Sequence, residues 1–194
     1  ADNEASSAGA IFLDYSSADF ISCAFDRNKA LMGGAVVTYS YMNTSYMDCT
    51  FQNNTARGIG GAVHVNNGHP EFDNCLFLNN SAHTGGAISM DPQTWAIVQP
   101  SFNNCTIYGN IARQSVGGIL TGDDSEPVIR NSIVWGNSGE QISQEGTTTV
   151  EHSDVQYGWP GTGNIDADPM FVNGPGGTHY LSQTASGQPG DSPC

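Results

Sequence analysis

The chain has 194 residues, with 19 acidic against five basic side chains and a formal net charge of −14 at pH 7. That balance excludes nucleic acid as a partner, because phosphates are held by Lys and Arg, and it disfavours adsorption to anionic lipid. No apolar run is long enough to cross a bilayer, so direct membrane insertion is not expected in this segment.

After a short polar leading segment (1–8), one phrase recurs: S-C-A-F-D-R-N (22–28), D-C-T-F-Q-N-N (48–54), N-C-L-F-L-N-N (74–80) and N-C-T-I-Y-G-N (104–110). A fifth copy, N-S-I-V-W-G-N (131–137), has serine in place of cysteine. The Cys-to-Cys steps are 26, 26 and 30 residues, and the step to Ser132 is 27. Glycine pairs keep the same beat: G-G-A-V (33–36), G-G-A-V (60–63), G-G-A-I (85–88) and G-G-I-L (117–120). A fixed period in the twenties marks a solenoid, whose repeats bury their apolar faces only by stacking.

Within each repeat the apolar residues alternate, as in Cys49 and Phe51, or Val63 and Val65. A large apolar residue stands three positions before each Cys or its substitute: Phe20, Tyr46, Phe72, Phe102 and Ile129. Period two with turns of Asn, Asp, Ser and Gly predicts about three short strands per coil. No window is a convincing amphipathic helix. The expected fold is therefore all-β, a right-handed parallel β-helix of about six coils forming a single domain over 1–194. Repeat coils occupy 9–158 and a Gly/Pro-rich coil or cap occupies 159–194.

Stacking places equivalent residues over one another. Asn28, Asn54, Asn80, Asn110 and Asn137 then form an asparagine ladder, with a column of small residues (Ala30, Ala56, Ala82, Ala112) beside it. Cys23, Cys49, Cys75 and Cys105 form an inward column of free thiols acting as small hydrophobes, since parallel side-chain vectors on stacked strands suit a disulfide poorly. The glycine pairs mark corners where positive φ or close backbone approach is expected.

The pairing of G-G-A-[IV] with F-x-x-N, as in Gly60–Val63 with Phe51–Asn54 or Gly85–Ile88 with Phe77–Asn80, resembles the repeats of the chlamydial polymorphic outer-membrane proteins. The resemblance covers about 9–137 and implies a surface-exposed passenger with roles in adhesion and self-assembly. The tail, with N-I-D-A-D-P-M-F-V (164–172), H-Y-L-S (179–182) and D-S-P-C (191–194), is similar to the β-helix ends of large secreted or anchored prokaryotic surface proteins. That similarity implies a chain continuing past Cys194 towards a cell-surface anchor.

The primary functional expectation is a non-enzymatic structural or adhesive module, extracellular or at the cell surface, whose partners are copies of itself or adjoining coils. With no helix to cover coil one, its edge is expected to meet another surface and to give head-to-tail contacts. The alternative is a carbohydrate-active enzyme, a polysaccharide lyase or glycoside hydrolase, or a glycan-binding remnant of one. No catalytic residue is assigned to the primary reading. The alternative would use Asp123, Asp124 and Glu126, near the positions of Asp91 and Asn66 in earlier coils, because hydrolysis wants paired carboxylates. Arg113, aligned with Arg57 and His83 at one offset from the ladder, would supply a basic stripe. No cofactor is required, and calcium is the one candidate, through Asp123, Asp124 and Glu126 on one loop with Asp166 and Asp168 on another. Tyr108 and Trp135 share an outward offset and, with Trp95 and Trp159, offer stacking platforms for surface glycans. N-x-S/T sequons begin at Asn43, Asn53, Asn79 and Asn104.

Overall fold

Segments too short to bury one face alone gain stability by stacking, and the chain winds accordingly into a parallel solenoid. The computed structural model describes residues 2–39, 42–90, 97–174, 177–184, 188 and 190–194. Coil one contains β1 (Ile11–Asp14), β2 (Asp19–Ile21), β3 (Ala24–Asp26) and β4 (Lys29–Ala30). Coil two contains β5 (Val36–Tyr39), β6 (Ser45–Met47), β7 (Thr50–Gln52) and β8 (Thr55–Ala56). Coil three contains β9 (Val63–Asn67), β10 (Glu71–Asp73), β11 (Leu76–Leu78) and β12 (Ser81–Ala82). Coil four contains β13 (Ile88–Met90), β14 (Ser101–Asn103), β15 (Thr106–Tyr108) and β16 (Ile111–Ala112). Coil five runs through β17 (Val116–Thr121), β18 (Val128–Arg130) and β19 (Ile133–Trp135), and coil six through β20 (Glu140–Ile142), β21 (Thr149–Glu151) and β22 (Asp154–Val155). A hairpin, β23 (Phe171–Gly174) and β24 (Gly177–Leu181), follows.

Three parallel sheets of six strands form the long faces, headed by β1, β2 and β3. A fourth sheet, β4-β8-β12-β16, adds a narrow face that the expected three strands per coil left out. Its strands are two residues long, too short to show alternation.

The core is two aromatic stacks. Phe20, Tyr46, Phe72 and Phe102 lie face to face with centroids 5.0, 4.8 and 4.9 Å apart. Phe25, Phe51 and Phe77 do the same at 4.7 Å. These separations match the strand spacing, about 4.8 Å, so each ring covers the one below. The two stacks meet edge to face, as in Phe51 against Phe72 at 6.2 Å and 73°, an arrangement the ring quadrupoles favour. Towards the C-terminus the columns become aliphatic, through Ile129 and Val150 in one and Ile107, Val134 and Val155 in the other.

Glycines fix the corners. A Cβ on Gly61 would stand 1.9 Å from the carbonyl oxygen of Gly86 on the next coil, so only glycine permits the stacking distance. Gly60 precedes it at φ +66°, where a side chain would strike the Val63 carbonyl. The fourth glycine pair departs from the expected alignment. Ile119, not Leu120, registers with Ile88, so Gly117 succeeds Gly86 in its column. The left-handed residue of this corner is Ser115 at φ 51°, one position before Val116, which takes the place of Gly85.

Further left-handed residues recur outside the glycine pairs. Asp48, Asn74, Asn104 and Asn131 precede the thiol or serine position, while Asn53 and Asn79 precede the ladder asparagine. Asn and Asp tolerate this conformation best among residues with a Cβ.

The aromatic stacks predict opposite responses at two rings. Phe77→Ala should cost about 3–5 kcal/mol in chemical denaturation, the range for a buried Phe. Tyr46→Phe should leave stability unchanged or raise it, because the buried Tyr46 hydroxyl has no hydrogen-bond partner among the described residues and burying such a group is unfavourable.

Candidate functional site

The asparagine ladder sets the position of everything on the narrow face. Asn54 Oδ1 accepts the backbone N–H of Asn28 at 3.0 Å and its side-chain amide at 2.9 Å. Asn54 Nδ2 in turn donates to Asn80 Oδ1 at 3.0 Å and to the Phe25 carbonyl at 2.8 Å. The pattern repeats through Asn80, Asn110 and Asn137. Two residues outside the recurring phrase extend it. Asn3 donates to Asn28 Oδ1 at 3.0 Å, and Gln141 Oε1 receives the Asn137 amide at 2.8 Å.

Beyond the ladder the chain turns outward through the buried Ala30, Ala56 and Ala82 and the half-buried Ala112. The next residue on successive coils is Leu31, Arg57, His83 and Arg113. Their backbones are tied coil to coil. The Arg57 N–H donates to the Ala30 carbonyl, that of His83 to Gly58 and that of Arg113 to Ala82, at 2.9, 2.8 and 3.1 Å. All four side chains are exposed. With Arg27 and Lys29, this edge holds four of the five Lys and Arg residues. Its anions gather at coil one: Asp2 and Asp26 bind Arg27 at 2.7 and 2.6 Å, and Glu4 reaches Arg57 at 3.4 Å. The hydrogen bond from Arg27 holds the Asp2 carboxyl below the usual carboxylate range. A groove of about 510 Å³ runs beside Lys29, Leu31 and Arg57.

His83 and Arg113 are in register, whereas Gly58 intervenes between Arg57 and His83, and none of the three meets the acidic loop expected to complement them. Asp123 and Asp124 are exposed on the turn after β17, whereas Arg113 lies before that strand. Six residues of β17 separate them, about 20 Å at the usual rise per residue. Glu126 accepts from Gln99 Nε2 at 2.7 Å, and the Asp124 backbone carbonyl is taken by the Val98 N–H. Asp166 and Asp168 cap turns, accepting from the backbone N–H of Tyr157 and Met170 at 3.1 and 2.9 Å. Among the described residues no group of three or more His, Cys, Asp or Glu side chains is placed to hold a metal ion, the loops 123–126 and 166–168 included. Asp91 and Trp95 lie outside the described residues.

The aromatics fare differently. Tyr108 and Trp135 do share an outward register, but Tyr108 is covered edge-on by Phe171 and His179, each at 5.0 Å. The hairpin of β23 and β24 therefore lies along the flank of coils four and five, not over the last coil. The lid is made instead by the segment before it. Trp159 packs against the core, while Asn164 accepts the Ser153 N–H and donates to the Val150 carbonyl. The sequon residues Asn43, Asn53, Asn79 and Asn104 are all exposed.

Burial, and not a shared cleft, sets the titrations of Cys49, Cys194 and His64. Cys49, Cys75 and Cys105 are buried in one column, and Cys23 is half-buried at its open end. Desolvation pushes the Cys49 thiol up to about 11. Cys194 donates to Asp154 Oδ2 at 2.9 Å and is pushed up to about 12, chiefly by burial and then by that carboxylate. His64 registers with Val37 and Ser89 on the outward side of its sheet yet is 1% exposed, and desolvation lowers it to about 4. Among the described residues neither His64 Nδ1 nor Ser89 Oγ has a hydrogen-bond partner.

Two solution tests follow from this burial. The unfolded chain takes up a proton at His64 near pH 6.5, whereas the fold resists it until about 4. Stability should therefore fall with acidification across that window, by about 3 kcal/mol in full. Denaturation midpoints of wild type and His64→Gln should converge below pH 4, the variant having the shallower dependence. In thiol titration, only Cys23 and Cys194 should react with a bulky disulfide reagent in the native state, and all five cysteines after denaturation. Rapid native reaction of Cys75 would place it outside the core.

No curated protein and no solved structure matches the chain. Residues 2–156, more than half of its length, match the family described as right handed beta helix region. Coil order, parallel register and sequence match agree, and the chain belongs to the right handed β-helix family.

Proposed function

We propose that this β-helix is a non-enzymatic structural or adhesive module of an extracellular or cell-surface protein, as its resemblance to the polymorphic outer-membrane repeats and anchored surface proteins implies. The observation that carries this reading is the contrast between its two ends. At the C-terminal end Trp159 and Asn164 cover coil six, and Ile165 bridges to Asp154. At the other end β2 and β3 are terminal strands of their sheets. There Phe20 and Cys23 are half-buried and Ile21 is 62% exposed. Unpaired strand edges are templates for further pairing, which natural proteins cover or block.

Asn3 and the bridge from Glu4 to Lys29 already place the leading segment in register with coil one. A further coil, or a second copy, pairs on β2 and β3 along the same axis. Contacts of that heterologous kind propagate when they do not close. A uniform rod of this sort suits a stalk or an adhesin, because each coil is stabilised by its neighbours.

Sedimentation of the intact chain over a wide concentration range tests the reading. Mass should rise with concentration, and Ile21→Lys, which puts a charge on the edge strand, should suppress the rise. A strictly monomeric particle at every concentration would remove coil one as an assembly surface.

A further inference from the structure

The leading segment is paired as if it closed a coil of its own. Asn3 occupies the ladder position next to Asn28, and Glu4 bridges to Lys29 in parallel. The Lys29 N–H donates to the Asn3 carbonyl at 2.8 Å, and the Ala5 N–H donates to the Lys29 carbonyl at 3.0 Å. Gly9 then repeats the glycine corner. A Cβ there would stand 2.1 Å from the Gly34 carbonyl oxygen, as one on Gly34 would stand 2.0 Å from that of Gly61. The ladder and the narrow face of coil one are therefore covered, while β2 and β3 remain terminal strands. Their outward backbone groups follow from their inward ones. The Ser22 N–H donates to the Met47 carbonyl, and the Cys23 carbonyl accepts from Thr50, both on coil two. Alternation along parallel strands turns the N–H and C=O of Ile21 and Ala24 the other way. Phe20 and Cys23 end their inward columns half-buried, whereas Phe25 is already covered.

We propose that this edge takes one extended strand of a partner protein, parallel to β2 and β3, in which an aromatic residue stands three positions before a cysteine, serine or alanine. The aromatic ring continues the column of Phe20 and Tyr46, whose centroids lie 5.0 Å apart. The small residue continues the column that begins at Cys23. The backbone of the incoming strand meets Ile21 and Ala24, and its C-terminal end abuts Asp2, which Arg27 holds at 2.7 Å. Strand addition of this kind draws affinity from main-chain hydrogen bonds and specificity from alternate side chains. A second copy fits less well. Its coil six is covered by Trp159 and Asn164, so the end it offers is its own coil one. Residues 2–30 are acidic on balance, with Asp2, Glu4, Asp14, Asp19 and Asp26 against Arg27 and Lys29. Two such coils meeting edge to edge set like charges together, which opposes association. Self-association is then the weaker contact, and the partner strand displaces it. The proposal rests on coil one being an assembly surface and specifies the partner that this surface selects.

The probe is a fluorescent peptide with the sequence of residues 71–77 and the change Cys75→Ser, a replacement the chain itself makes at Ser132. Its binding to the intact chain is read by anisotropy, with a scrambled peptide of the same composition as control. The expected result is saturable binding of the ordered sequence alone. A peptide that also carries Phe72→Ser should bind about tenfold or more weakly, the loss expected for one buried ring. In the protein, Ile21→Pro and Ala24→Pro each remove one outward N–H and no bond to coil two. Proline is tolerated on an edge strand in that setting, so both variants should keep the wild-type melting temperature and lose the peptide. If either melts lower, the peptide series decides. Equal binding of the scrambled or Phe72→Ser peptide overturns the proposal, as does unchanged affinity in both proline variants. So does the absence of peptide binding by a chain whose mass still rises with concentration, which assigns the edge to a second copy and leaves the assembly reading standing. Peptide binding by a chain that stays monomeric does the reverse, so the two readings fail separately.

Discussion

The amide of the ladder asparagine is the interaction on which the rest depends. At each coil one side chain must accept a backbone N–H from the coil before it and return a proton to a carbonyl there, all without water. A buried backbone group left unpaired costs free energy comparable to a lost hydrogen bond. Only a short side chain with both an acceptor and a donor on one planar group serves at that point. Asp lacks the donor and Gln is a methylene too long for a regular coil. Where Gln does take over, at position 141, it lies four residues beyond Asn137 and reaches back to close the series.

Once that bend is held, the remaining features follow in sequence. The aromatic columns are placed on the inner side of the sheets that flank the bend, and rings meet at the strand spacing because the backbone dictates it. The glycine column exists because a carbonyl of the next coil occupies the place of a Cβ. The cationic row exists because the residue after each alanine has nowhere to go but outward. Packing and surface chemistry are therefore read from the same repeat, one residue apart.

Much of this was legible from the repeated phrase. Phe20, Tyr46, Phe72 and Phe102, like the five asparagines, recur at coil spacing with unmistakable chemistry. The narrow fourth sheet was not, since Lys29–Ala30 and its successors are too short to alternate. The register at Gly117 is not legible either, because either glycine of the pair fits the repeat and Ser115 takes the left-handed conformation without being glycine. Asn3, Gln141 and Asn164 carry no repeat signal, because each closes a column with a residue outside the phrase. The stripe of Arg57, His83 and Arg113 was visible as an offset from the ladder. Its separation from Asp123 and Asp124 was not, because which face follows which depends on the path of the coil. The segment 159–194 reads as a cap from its Gly and Pro content, but which of its residues meets the core does not: the contact is made by Trp159, and no local pattern announces it.

The ladder also fixes how the molecule responds to force. Its hydrogen bonds, and those of every sheet, run along the solenoid axis and cross each boundary between coils. Tension applied along that axis loads those boundaries in series, so the rod yields at its weakest junction and not throughout. Coil six is held by Gln141 in place of an asparagine and by Val150 and Val155 in place of rings. Traction from the C-terminal side therefore peels coils one at a time, beginning where the aromatic columns have given out. A load across the axis instead bears on covalent backbone within each coil, and meets a far stiffer object.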